Sequence, residues 1–352
     1  MGRLPGREDR GLGRSPSDLA VFVAKRLLQL VPVLIGITIL TFVFTHLSTV
    51  NPCAQWFPHA DPTTLANCRA QFSKPLYVQY WNYLVNLLHG NWGASVQGRP
   101  VYPQIAQGLP ATLELVLASL FLMIVIGIPL GVIAAQSAGR WADHLVRIFY
   151  LSGWATPTYL GAVIAAIFVA PYLGLPSGGE YTNTPPPFPQ YTHMSVVDAL
   201  VAGNLSYTGD ALVHLILPAA TLAFINMGIA TRMTRSSMLE VLPLDYVKSA
   251  RMKGLSDFLV MYKHALRNAL ITTTTVLGVT AGGLLAGTVV IETVFRWPGI
   301  GNYAYYAIGG GGNTPNFDGA VAVVAVFAVG VVVANLIADI LYGVLDPRVD
   351  WR

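Results

Sequence analysis

Charge is what this sequence has least of. Asp, Glu, Lys and Arg make up 11% of its 352 residues, against roughly 25% in an ordinary soluble domain. Hydrophobic residues supply 54%, and the mean hydropathy is +0.55. A soluble chain of that balance would expose large apolar patches, so the water-soluble classes are excluded. Thiols are nearly absent: Cys53 and Cys68 are the whole inventory. Neither stands in a metal-ligand spacing, and the His residues form no HExxH, so no metal or haem site is expected. The alternating pattern of a membrane β-barrel is missing as well. Ser119 and Ser152 have no evident intramembrane His partner, which argues against an intramembrane enzyme.

What is there is a set of long apolar runs. A membrane span needs about 20 such residues. Six segments qualify: 27–47, 112–135, 145–173, 211–230, 270–291 and 320–345. Backbone polar groups cannot go unpaired in lipid, so each must be helical, and the fold class is all-α and polytopic. The organisation expected is a disordered tail over 1–24, a first span over 25–47, and an external loop with short helices over 48–111. A five-helix core follows over 112–345, with a basic loop over 232–270 inside it, and a short tail over 346–352. Lys and Arg fall seventeen on the tails and even-numbered loops and four on the odd-numbered loops. The positive-inside rule then places both termini and the 232–270 loop in the cytoplasm. The first span is too long for a signal-peptide core and no A-x-A site follows it, so it reads as an uncleaved anchor.

The external loops carry less. Residues 77–88 (YVQYWNYLVNLL) have helical spacing with interfacial aromatics, suiting either a docking element or a helix resting on the bundle. Cys53 and Cys68 lie 15 residues apart in the same loop. A bridge between them is permitted outside the cytoplasm and would contribute roughly 3 kcal/mol; two free thiols are the alternative. The loop over 174–210 has no Lys or Arg and reads as an exposed, partly extended linker. Glu114 and Asp339 lie at membrane depth, where structural pairing or snorkelling is expected. Small-residue seams, 127/131, 278/282 and 283/287, allow close helix packing. Pro32, Pro129 and Pro218 are candidate bends.

The 232–270 loop is the most informative segment. Residues 245–254 (DYVKSARMKG) are helix-prone, Gly254 stops the helix as a C′ glycine does, and Ser256 is placed to cap a second helical stretch. This predicts a helix–turn–helix elbow, tethered by spans at both ends and so not a nucleic-acid reader. Ala250, Gly254 and Leu255 are expected to form its contact core. Lys248, Arg251 and Lys253 supply charge to a partner or to anionic lipid, or merely set topology.

This loop resembles the coupling loop of binding-protein-dependent ABC importer permeases, whose pattern is EAA-x3-G-x9-I-x-LP. Gly254 matches its glycine, Ala250 its second alanine and Leu266 its leucine. Lys248, Ser249, His264 and Arg267 depart from it, but in a form similar to the dipeptide/oligopeptide/nickel branch, YVxxARxKGL…HALRNAL. Further segments look like the B-type permease of that branch: KRLLQLVPVLIGITILTFVFTHL (25–47), KPLYVQYW (74–81), GNWGAS (90–95), LPATLEL (109–115), GIPLGVIAA (127–135), TRSSMLEVL (234–242), ETVFRWPGIG (292–301) and LDPRVDWR (345–352).

The resemblance implies a type I permease fold in the plasma membrane of a prokaryote. It implies a heterodimer with a C-type permease subunit, two cytoplasmic ATPase subunits and an external substrate-binding lipoprotein. No cofactor is expected in this chain, which has no Walker motif; ATP and Mg would be bound by the ATPases. The coupling residues would be Lys248, Ser249, Ala250, Arg251, Lys253, Gly254, Leu255 and Leu266. Glu292, Arg296, Trp297, Pro298 and Gly299 would form an outer gate or binding-protein contact, a plain Pro298-Gly299 turn being the alternative. The implied cargo is short peptides; a nickel chelate, glutathione or an oligosaccharide would use the same machinery. An ion-coupled carrier working alone would need inverted repeats and a midplane charge cluster, and the sequence shows neither.

Overall fold

A computed structural model describes residues 16–47, 62–93, 100–183, 186–312 and 316–345. Among these every regular element is a helix, and there is no β-strand. Helix α1 (Pro16–Leu47) is followed by two short helices, α2 (Pro62–Phe72) and α3 (Leu76–Leu88). Then come α4 (Val101–Gln136), α5 (Trp141–Ala155) and α6 (Thr158–Leu173), which contains a π turn at Ala165–Val169. Next are α7 (Ser195–Val201), α8 (Leu205–Val241) and α9 (Asp245–Met252). The last three are α10 (Asp257–Val294), with a π turn at Val260–Ala265, α11 (Ile300–Ala307) and α12 (Phe317–Leu345). Helices α1, α4, α8, α10 and α12 are long and apolar enough to cross a membrane, and the bent pair α5–α6 makes a sixth where the pair is counted as one span.

Two expectations about helices change. Helix α1 already covers residues 16–24, which lie in the tail expected to be disordered. The span expected as one rod over 145–173 is broken by 104° between Ala155 and Thr158. Pro157 is the cause: its ring excludes α geometry from the residue before it, and Thr156 sits at ψ 121°. By contrast Pro32, Pro129 and Pro218 lie inside helices that run through them. Cys53 and residues 346–352 lie outside the described residues, and so does the question of a bridge to Cys68.

Helix α8 is the axis of the bundle. Its contact with α4 closes on glycines: a Cβ on Gly131 would sit 2.6 Å from Thr234 Cβ, and one on Gly127 3.1 Å from Ala230 Cβ. Lipid offers no hydrophobic drive between helices, so such close backbone approach supplies the packing. The central core gathers Leu115 of α4, Ala162 of α6, Leu222 of α8 and Leu284 and Ile291 of α10. Helix α1 stands at the edge, where Thr38 Oγ1 and Tyr80 OH of α3 are 2.9 Å apart and Phe42 packs edge-on to Tyr80.

The 174–204 segment is no extended linker. It folds back on the bundle through carboxylates that accept backbone hydrogen bonds. Glu114 of α4 accepts from Ser195 N, Ser195 Oγ and Val196 N at 2.8–2.9 Å, capping α7. Asp198 accepts from Thr192 N and Oγ1 and from His193 N. Asp210 accepts from Thr182 N and Oγ1. Tyr181, Phe188 and Tyr207 pack edge to face beneath, and Tyr181 OH donates to Ser195 O at 2.6 Å. Composition missed this because each acceptor lies far from its donors in sequence or is a short polar side chain.

Glu180 sits in this docked segment. Burial, then the neighbouring Glu114 and Asp198 carboxylates, push its pKa up to about 7. The folded state therefore binds a proton there that the unfolded chain releases nearer an ordinary carboxylate pKa. Stability from this group is present below that ordinary value and is lost as pH rises to about 7. The purified protein should accordingly show a falling melting temperature between about pH 4.5 and about pH 7, the interval between the two states' pKa values. Glu180→Gln should flatten that interval. A thermal-shift series in which both proteins keep the same slope would count against this account.

Candidate functional site

Two places carry the residues singled out from the sequence, at opposite ends of the bundle. The first is the elbow between α8 and α10. Helix α9 buries Val247 and Ala250 against Met238 of α8, Val132 and Ala135 of α4, and Met261 of α10. Asn268 Nδ2 donates to Tyr246 OH at 2.7 Å, fastening α9 to α10. The helix ends at Lys253, whose N–H reaches Ser249 O, and Gly254 follows at φ +76°. That left-handed conformation is cheap only for glycine. Ser256 Oγ accepts from Leu259 N and its carbonyl from Val260 N, starting α10. The predicted helix–turn–helix is therefore present, with the turn and cap at the expected residues.

The elbow sorts the predicted contact residues into two sets. Lys248, Ser249, Arg251, Lys253, Gly254 and Leu255 are exposed at its tip. Ala250 and Leu266 are buried beneath it and belong to the packing that holds the elbow, not to its contact face. The reason is the helical period: Val247 and Ala250 are three apart and share the inner face. Lys248 Nζ lies 3.1 Å from Asp245 Oδ1, an exposed pair that contributes little. The residues missed are Met252, 80% exposed, and Phe258, 68% exposed. Phe258 stacks on Tyr262 with ring centroids 4.6 Å apart. Large apolar side chains flanking the glycine turn of a basic segment were the available signal. An exposed Met, with its flexible thioether side chain, and an exposed aromatic ring are suited to filling a cleft in another protein.

The second place is the ETVFRWPGIG segment at the far end of α10. It is a buried knot. Glu292 is fully buried; its carboxylate accepts from Thr112 Oγ1 of α4 at 2.7 Å and from Asn302 N of α11 at 2.9 Å. Thr112 Oγ1 in turn accepts from Ile300 N at 2.9 Å. Trp297, also fully buried, donates Nε1–H to Ala111 O at 2.9 Å. A Cβ on Gly299 would overlap Thr112 Oγ1 and the Glu292 carboxylate, and one on Gly301 would lie 2.7 Å from Val289 Cα. Gly179 N donates to Phe295 O at 2.9 Å, so the docked 174–204 segment closes onto the same knot. Of the five residues grouped as a gate or contact surface, Arg296 and Pro298 are exposed, while Glu292, Trp297 and Gly299 are interior. Arg296 stands at φ +50°, unusual for a residue with a side chain, and is held there by the anchored Trp297.

Comparison with known proteins agrees with this geometry. Residues 127–351 match the family described as binding-protein-dependent transport system inner membrane component. The probable D,D-dipeptide transport system permease protein DdpB of Escherichia coli (strain K12) is 40% identical over 325 residues, covering 91% of this chain and 94% of that one. The di/tripeptide transport system permease protein DppB of Pseudomonas aeruginosa (strain UCBPP-PA14) is 39% identical, covering 93% and 98%. The oligopeptide transport system permease protein AppB of Bacillus subtilis (strain 168) is 35% identical, covering 95% and 100%. An all-helical bundle with a glycine-hinged elbow, matched over nearly its whole length by such permeases, belongs to the family of inner-membrane components of binding-protein-dependent transport systems.

Proposed function

We propose that this chain is the B-type permease subunit of an ATP-driven importer of short peptides. It pairs with a C-type permease subunit, receives peptide from an external binding lipoprotein, and is driven by two cytoplasmic ATPase subunits that bind the ATP and Mg. Both termini and the elbow face the cytoplasm, a reading supported by the seventeen-to-four division of Lys and Arg. The peptide cargo rests on the names of the relatives above. The observation that carries the mechanism is the elbow: it is anchored on its inner face by Val247 and Ala250 and bare on its outer face at Met252, Gly254 and Phe258. A projection built that way transmits a push, because the tip is free to be gripped while the base cannot slide. The knot at the opposite end ties α10, α11 and α4 into one piece, so the outer mouth opens and closes as a rigid unit.

Two outcomes follow. A Cβ at Gly254 meets nothing within 4 Å, so Gly254→Val acts through backbone strain, about 1–2 kcal/mol for a left-handed residue, and through bulk presented to the partner. ATP-dependent peptide uptake into vesicles should fall severely at an unchanged membrane level of the protein. Uptake equal to that of the parent would remove the elbow from the mechanism. Glu292→Ala leaves Thr112 Oγ1 and Asn302 N without their acceptor, at about 1–3 kcal/mol for each stranded group. The variant should melt earlier in detergent; an unchanged melting temperature would show that the knot does not brace the mouth.

A further inference from the structure

The elbow has a second connection, through α8 to α5. Arg235 lies on α8 one turn before Met238, the residue on which α9 rests. Its guanidinium grips Asp143 of α5 with both arms: Nε reaches Oδ1 and Nη2 reaches Oδ2, each at 2.8 Å. Asp143 has no exposed surface and its Oδ2 also accepts from Gly139 N at 3.0 Å, fixing the α4–α5 turn to the same carboxylate. Arg147 Nε stands 3.5 Å from Oδ1. Farther along, α5 stays in register on α8: Gly228 admits Tyr150, and Gly153 lies so close to the Phe224 carbonyl that no Cβ would fit. Arg232 of α8 covers the Trp154 ring at 5.4 Å. The contact ends at Ala155, where the chain turns by 104° into α6.

We propose that Asp143 and Arg235 are positioning residues of the transport cycle, the strut that makes α5 follow the elbow. Movement of α9 passes through Met238 to α8, through the bidentate pair to α5, and so to the Thr156–Pro157 corner, where α6 changes its angle. A paired fork is suited to this, because it fixes orientation as well as distance. A lysine in place of Arg235 keeps the charge and loses the second arm. The proposal rests on the elbow being the ATPase contact.

The test uses the complete transporter in proteoliposomes, with permease pair, ATPases and peptide-loaded binding protein. Asp143→Asn, Arg235→Lys and Gly254→Val are compared at matched amounts of assembled complex, reading ATP hydrolysis and peptide uptake together. The strut predicts that Asp143→Asn and Arg235→Lys keep ATP hydrolysis while uptake per ATP falls about fivefold or more, the lower end of usual intersite coupling. Uptake per ATP that is unchanged in both, or uptake lost only in proportion to assembled complex, overturns it. In either case Gly254→Val separates the two ideas. If that variant still loses transport, only the strut fails; if it transports normally, the elbow reading fails with it.

Discussion

A buried carboxylate that takes hydrogen bonds from a neighbouring element is the interaction on which this architecture depends. Lipid cannot satisfy a backbone N–H, so every place where the chain leaves a helix inside or beside the membrane needs an internal acceptor. Glu114 supplies it at the start of α7, Asp143 at the α4–α5 turn, and Glu292 at the start of α11. Each also reaches a side chain or backbone group on a different helix, so the same oxygen pair that completes a turn fixes one rod to another. An acid at such depth costs a few kcal/mol if left alone. Here each is surrounded by donors, and removing it would leave several donors orphaned at once.

The three acids are unevenly arranged, and that gives the molecule a stiff end and a workable end. Glu114 and Glu292 sit at the same end, together with the docked 174–204 segment and the Trp297 anchor, and Gly178 and Gly179 tie these to one another through Phe295 O. At the elbow end Asp143 alone plays this part among the described residues. The elbow itself is held by apolar packing of Val247, Ala250 and Met238, which resists separation but imposes no fixed direction in the way a bidentate pair does. The end that takes the push in the proposed cycle is thus secured mainly by non-directional contacts, with the Asn268–Tyr246 hydrogen bond to α10 and the bidentate pair to α5 as its directional links among the described residues.

The sequence showed what is local and periodic. Five of the spans were legible as apolar runs. The elbow's turn and cap were legible, because Gly254 and Ser256 act on their own chain neighbours, while its division into a packed and a bare face was not. Span 3 was drawn straight although Pro157 was visible, since a proline says where a helix can break and not whether its neighbours hold it bent. Glu114 stood out by its depth, Glu292 only as part of its motif and Asp143 not at all, and none showed its partners: Ser195 lies 81 residues from Glu114, Glu292 lies 180 from Thr112, and Arg235 lies 92 from Asp143. No window along the chain contains both members. The same distance explains why Trp297 and Gly299 were grouped with a surface. Their motif is contiguous, but what buries them is α4, far upstream.

Helix α10 shows how the remaining faces divide. Its small residues form two seams. Gly278 and Gly282 are filled from within by Ala338, Val331 and Ala334 of α12. Thr272, Val279, Gly283 and Ala286 lie on an exposed face, where a Cβ on Gly283 meets nothing. The exposed surface of α5 and α6 is different in kind, made of Ile148, Trp154, Ile167 and Phe168. Large apolar and aromatic side chains are what acyl chains and their interface favour, whereas glycine, alanine and threonine permit another backbone to come close. In the proposed heterodimer the aromatic surface therefore meets lipid, and the open seam of α10 faces the second permease subunit and the path between them. A carrier complete in one chain would have to close that seam with its own helices, and here the helix that could do so, α12, is already committed to the other one.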